Sequence, residues 1–130
     1  MPIALCCVRD HKSILAWQEA SRVVDAVLEG SRTSWKPYAS AVFAQLQRAS
    51  LSVQLNIAEG YALRSRPRFR NHLEIAYGSA VETGELLDLV ARNHLFPESL
   101  SQGAQASCIH SQRLLLGLIR RYRDPGAART

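Results

Sequence analysis

Apolar residues recur at helical spacing in four stretches of the chain, separated by three breaks that each end with a proline. The breaks are Gly30-Ser31-Arg32-Thr33-Ser34-Trp35-Lys36-Pro37, Ser65-Arg66-Pro67 and Asn93-His94-Leu95-Phe96-Pro97. A proline suits the first position of a new helix, where its missing N–H would be unpaired anyway. The pattern predicts helices over about 12–29, 37–64, 67–92 and 98–122. In the first, Leu15, Val23, Val24, Val27 and Leu28 form the apolar set, and Gly30 reads as a C-cap. In the second, Phe43, Leu46, Val53, Ile57 and Tyr61 share one face. Ala44, Leu51, Leu55, Ala58 and Ala62 widen that apolar surface, leaving a narrow polar stripe of Gln45, Arg48, Ser52, Asn56 and Glu59. The third has Ser65 as N-cap and a core stripe of Phe69, Leu73, Ala76, Ala80, Leu87 and Val90. The fourth carries Leu114-Leu115-Leu116-Gly117-Leu118-Ile119, apolar nearly all round.

No segment alternates with period two between turn signals. Four helices with short connections imply antiparallel neighbours, so the fold class is all-α, an antiparallel up-and-down four-helix bundle. Residues 1–10 read as an N-terminal tail, 11–123 as the bundle domain and 124–130 as a C-terminal tail. The second and fourth helices carry apolar residues on more than one face, which points to cover from beyond one neighbour, as in an oligomer.

A length of 130 residues suits one domain with a core that needs no staples. Cys6, Cys7 and Cys108 are odd in number and lack zinc-ligand spacing, so reduced thiols in a cytoplasmic protein are expected, with Cys108 buried. The apolar start, Pro2 to Val8, is too short for a signal peptide and lacks a positive leading region. No run approaches the roughly 20 apolar residues of a membrane span.

Catalytic patterns are missing. No Glu has a His three residues on, as a di-iron bundle requires. There is no H-E-x-x-H, no Gly-rich phosphate loop and no G-x-S-x-G. His11, His72, His94 and His110 are scattered. The reading is a non-enzyme without metal or cofactor.

The run Gln45 to Gly60, with Asn56-Ile57-Ala58-Glu59-Gly60 at its end, resembles the signature of the four-helix bundle proteins known as 23S rRNA intervening-sequence proteins. Phe69, Leu73-Glu74-Ile75-Ala76-Tyr77-Gly78-Ser79-Ala80-Val81-Glu82, Trp17 and Phe96-Pro97 also fit. The resemblance spans about residues 13–122. It implies a bacterial, homopentameric four-helix bundle with no defined biochemical activity. A more distant relative, the accessory protein of diversity-generating retroelements, is a basic pentamer that binds nucleic acid and a reverse transcriptase. This chain has Gln47 where a second basic residue is common, and Gln54 where a small residue or proline is common.

In a hairpin turning near 65–66, levels on the second and third helices pair when their numbers sum to about 131. Arg48 then lies beside Thr83, within a turn of Glu82; Ser52 lies beside Ser79 and Glu59 beside His72. Arg48, Asn56, Glu59 and Glu82 therefore read as a polar network that fixes register or a subunit contact, or else as a site. Gly60 and Gly78 would let helices approach closely.

Charge supplies the sharper functional signal. The chain has 16 Lys and Arg against 11 Asp and Glu. Arg64, Arg66, Arg68 and Arg70 fall within seven residues, and up-and-down topology brings Arg120, Arg121, Arg123, Arg9 and Lys12 to the same pole. Nine of the 16 basic residues would thus crowd one end. Arginine suits phosphate because its planar fork donates two parallel hydrogen bonds. One reading is binding of RNA or DNA, or of a ribonucleoprotein, through this pole. The other is an oligomeric scaffold whose basic end recruits an acidic protein partner; a solvated, merely solubilising pole is the bland alternative.

Overall fold

The computed structural model describes residues 10–123, and Arg9, Cys6, Cys7 and both proposed tails lie outside that range apart from Asp10. Its helices are α1 (Leu15–Thr33), α2 (Ser40–Ala62), α3 (Arg66–Arg92) and α4 (Glu98–Arg121), with short 3-10 turns at His11–Ser13 and Pro37–Ala39. No strand occurs among the described residues. Neighbours along the chain pack side by side and α1 closes against α4; the diagonal pairs do not approach. The fold is the predicted up-and-down bundle.

The element ends show local chemistry at work. Ser65 caps α3 by accepting a hydrogen bond from the Arg68 N–H at 3.4 Å, which satisfies a donor that the first helical turn leaves unpaired. Arg66, not Pro67, opens the helix, and Pro97 is the cap residue of α4, which begins at Glu98. Pro37 opens a 3-10 turn, and α2 proper starts at Ser40.

α1 departs most from expectation. It runs on to Thr33, so Gly30 lies inside the helix and does not cap it. A Cβ at Gly30 would meet the Phe96 ring at 2.5 Å, so the glycine makes room for an aromatic side chain from the α3–α4 connection. Leu15 and Leu28 are exposed at 60% and 47%, while Ala16 and Ala20 are buried with Val23, Val24 and Val27. Spacing from Val23 selects those alanines, whose small side chains let α1 lie close to its neighbours. The apolar run of α4 is covered within the chain: Leu115 is buried, and Leu114, Leu118 and Ile119 pack partly buried around it.

The core has two apolar clusters. Val27, Phe43, Leu46, Leu87, Val90 and Phe96 fill one end. Val53, Ile57, Phe69, Leu73, Ala76 and Leu115 fill the other. Between them Ser50, Thr83, Cys108 and Ser111 surround a void of about 10 Å³. The hydroxyls donate to carbonyls of their own helices, Thr83 to Ser79 at 2.7 Å, Ser111 to Cys108 at 2.8 Å and Ser50 to Gln47 at 3.2 Å, so the polar waist is satisfied internally. The Cys108 thiol donates to the Ala80 carbonyl at 3.3 Å, and burial pushes it up to about 11, with the Gln112 amide working the other way.

Candidate nucleic-acid interface

The arginine-rich pole is built from the α2–α3 turn and the last turn of α4. Arg64 adopts a left-handed conformation with φ 51°. This reverses the chain sharply, so that the Ser65 cap launches α3 back along α2. Arg66 then reaches across to α4. Its Nη2 donates to the Arg121 carbonyl at 3.3 Å, and its guanidinium lies 4.7 Å from the centre of the Tyr122 ring. A carbonyl near a helix C-terminus is partly unpaired and welcomes a cation. The Tyr122 ring meets Phe69 edge-on at 4.9 Å, and Phe69 meets Tyr61 at 5.9 Å. Three aromatic rings thus back the arginines. The sequence pattern places Phe69 in the core, which holds, and offers Tyr61 and Tyr122 as the aromatics near the arginine cluster against which a base could stack.

The structure brings together Arg64, Arg66, Arg68, Arg120, Arg121 and Arg123 at this pole, all exposed, and none forms an ion pair with a carboxylate of the described residues. Arg70 is different. It lies partly buried beside Glu74, with Nε 3.2 Å from Oε1, so a carboxylate faces its charge although Nε lacks hydrogen-bond geometry. The start of α1 also arrives here, as topology requires: Ile14 and Leu15 share with Tyr61, Leu118, Arg121 and Tyr122 the wall of a cleft of about 630 Å³. Arg113 lines that cleft as well and was missed in the sequence. Its spacing of two helical turns from Arg121 was the available signal. Tyr61, Arg64, Ser65, Arg66, Phe69 and Tyr122 also line a second, open pocket of about 270 Å³.

The polar stripe between α2 and α3 forms a ladder. Ser52 and Ser79 hydroxyls are 2.8 Å apart and His72 Nε2 is 3.5 Å from a Glu59 carboxylate oxygen, both pairs on the predicted level. Asn56 donates to the Ser52 carbonyl at 2.8 Å, and its amide oxygen lies 2.9 Å from His72 Nδ1. Arg48 and Glu82 do not pair directly. Arg48 Nη2 donates to Gln45 Oε1 at 2.7 Å, and the Gln45 amide in turn donates to Glu82. Both charged groups are exposed, so the inserted Gln45 is a surface relay. The sequence-level pairing overlooked that Gln45 sits one turn before Arg48 on the same stripe. Gly60 does permit close approach, since a Cβ there would lie 2.5 Å from that of His72. Gly78 has nothing within 4 Å and faces open space.

Comparison with known proteins follows the same lines. No curated protein matches the chain in sequence. Among solved structures, a protein of unknown function from the S23 ribosomal protein family of Bacteroides thetaiotaomicron VPI-5482 superposes with a TM-score of 0.68. It is 24% identical, and the match covers 82% of this chain and 95% of that one, a likeness of fold. The 23S rRNA-intervening sequence protein family matches residues 12–117, which takes in all of α1, α2 and α3, most of α4, and the Asn56–Gly60 signature with its ladder. The chain therefore belongs to the 23S rRNA-intervening sequence protein family.

Proposed function

We propose that the protein is a non-enzymatic bundle module that binds nucleic acid, in the form of RNA or a ribonucleoprotein, through its arginine-rich pole. The observation that carries this reading is the bridging of the α2–α3 turn to the end of α4 by Arg66, which gathers six arginines without a partner carboxylate among the described residues. A concentrated, unanswered positive charge attracts phosphates and releases their counterions. The family name, drawn from inserted segments of large-subunit rRNA, fits an RNA setting.

The working unit in this reading is a homo-oligomer, five subunits being preferred. Leu55 and Ile75 are exposed at 59% and 52% on the outward sides of α2 and α3, with Leu51 and the open Gly78 nearby. In this reading neighbouring copies cover these side chains, and a ring of copies would repeat the basic pole as an annulus.

Titration of labelled RNA at several salt concentrations tests the binding. Affinity on the order of micromolar at physiological salt is expected, with log K falling against log salt at a slope of about −3 to −4 if about four phosphates are engaged. Replacing Arg64, Arg66 and Arg68 by Glu should abolish binding with helicity intact. Wild-type protein that ignores RNA and DNA at low salt, yet retains one acidic protein from its own cell, would replace this reading with the scaffold one.

A further inference from the structure

The pole is not a flat charged surface, for pockets open beside its arginines. The 270 Å³ cavity has an aromatic floor, Phe69 and Tyr122, and a rim of Arg64, Ser65 and Arg66. Arg66 is not a free-swinging cation. Its guanidinium carbon lies 4.7 Å from the centre of the Tyr122 ring and its Nη2 is tethered to the Arg121 carbonyl at 3.3 Å, so the planar group is preset as a shelf. Arg64 and Arg68, on either side along the chain, have no such tether and are exposed. A stacking plane flanked by exposed, untethered arginines is an arrangement that can hold one unpaired nucleotide, its base against a ring or guanidinium and its phosphates on the flanking arginines. The volume lies just under the range of about 300 Å³ and upward typical of drug-sized ligands, which suits a single base with its sugar.

We propose that the pole prefers single-stranded nucleic acid, seating one unpaired nucleotide between the α2–α3 turn and the end of α4 with its base against the Arg66–Tyr122 shelf. This rests on the nucleic-acid reading above. A duplex satisfies the arginines equally well through its phosphates, but its bases are stacked inside and cannot enter the cavity. Every base has a flat face, so the preference concerns strandedness and not sequence.

The test is fluorescence anisotropy of the full-length protein with a short labelled RNA strand, the same sequence as DNA, and the duplex of each. Single strands should bind about tenfold tighter than duplexes, the gain from stacking one base. The RNA and DNA arms show whether the sugar hydroxyl is also read. Tyr122→Leu should lower single-strand affinity about tenfold while leaving duplex affinity and the salt slope unchanged, and Tyr122→Phe should restore it. Circular dichroism of both variants separates loss of the shelf from loss of the fold. Arg64→Gln with Arg68→Gln should weaken single and double strands alike. Equal affinity for the two forms, or Tyr122→Leu weakening both alike, would overturn the single-strand preference and leave phosphate binding standing. Absence of salt-sensitive binding to every probe would overturn both.

Discussion

At Gly30 the absent side chain is what lets Phe96 sit buried against Phe43, with ring centres 5.4 Å apart. Gly30→Ala gains up to about 1 kcal/mol of helix propensity but forces a packed ring to move, at a cost of about 1–3 kcal/mol. Denaturant unfolding should show a net loss of about 1–2 kcal/mol. Gly117→Ala is the control: it is exposed within α4 with nothing within 4 Å, and should stabilise by about 0.5–1 kcal/mol. Cys108 sets a pH dependence. Its thiol stands at about 11 in the fold against 9.0 for the free group. The protonated form is the one the fold favours, so its contribution is complete below pH 9, declines from there, and is lost as pH rises through 11. The full loss is on the order of 2–3 kcal/mol. Cys108→Ser keeps a donor for the Ala80 carbonyl and should flatten the stability profile between pH 9 and 11, as followed by urea midpoints.

The α2–α3 hairpin joins architecture to the proposed binding. Its turn depends on Arg64 at φ 51°, a conformation that costs a residue with a Cβ about 1 kcal/mol and glycine nothing. Arg64→Gly should leave stability unchanged or raise it by up to about 1 kcal/mol, while the salt slope for RNA binding becomes shallower by about 1. A drop in stability would reveal a packing role for the side chain, and an unaltered slope would mean that it touches no phosphate. The ladder links α2 to α3 from beside the turn outward, and its outer end is weakly held. Arg48 reaches Glu82 only through Gln45 and all three lie toward solvent. Arg48→Met should therefore cost less than about 1 kcal/mol, well short of the penalty for breaking a buried pair. A double-mutant cycle of Gln45 with Glu82 should show the coupling that Arg48 with Glu82 lacks.

For the whole molecule the open question is what covers Leu55 and Ile75. If copies of the chain meet there, light scattering will report an oligomer for the native protein, and Leu55→Glu will shift it to monomer with its helical spectrum retained. A native monomer at micromolar concentration would refute the ring and leave a single pole per particle. No helix of the described residues is long and apolar enough to cross a membrane.

Periodicity, proline breaks and short connections determined the helix count, the antiparallel order and therefore the convergence of the arginines on one end. These follow from the helical repeat and chain reversal, which are local. The Ser52–Ser79 and Glu59–His72 levels were legible for the same reason, since rise per residue is constant in both helices. Tertiary structure decided that the set spaced from Val23, and not the one holding the two leucines, faces inward in α1. There alanine at 16 and 20 beats leucine at 15 and 28, because the close approach of neighbouring helices rewards a small side chain over a larger one. It also decided that Gly30 accommodates Phe96, that Gln45 stands between Arg48 and Glu82, and that Arg70 is answered by Glu74 while its neighbours are not. The aromatic shelf beneath Arg66 belongs to this second kind. Tyr61, Phe69 and Tyr122 are far apart in sequence, and only packing of the turn against the end of α4 makes them one wall.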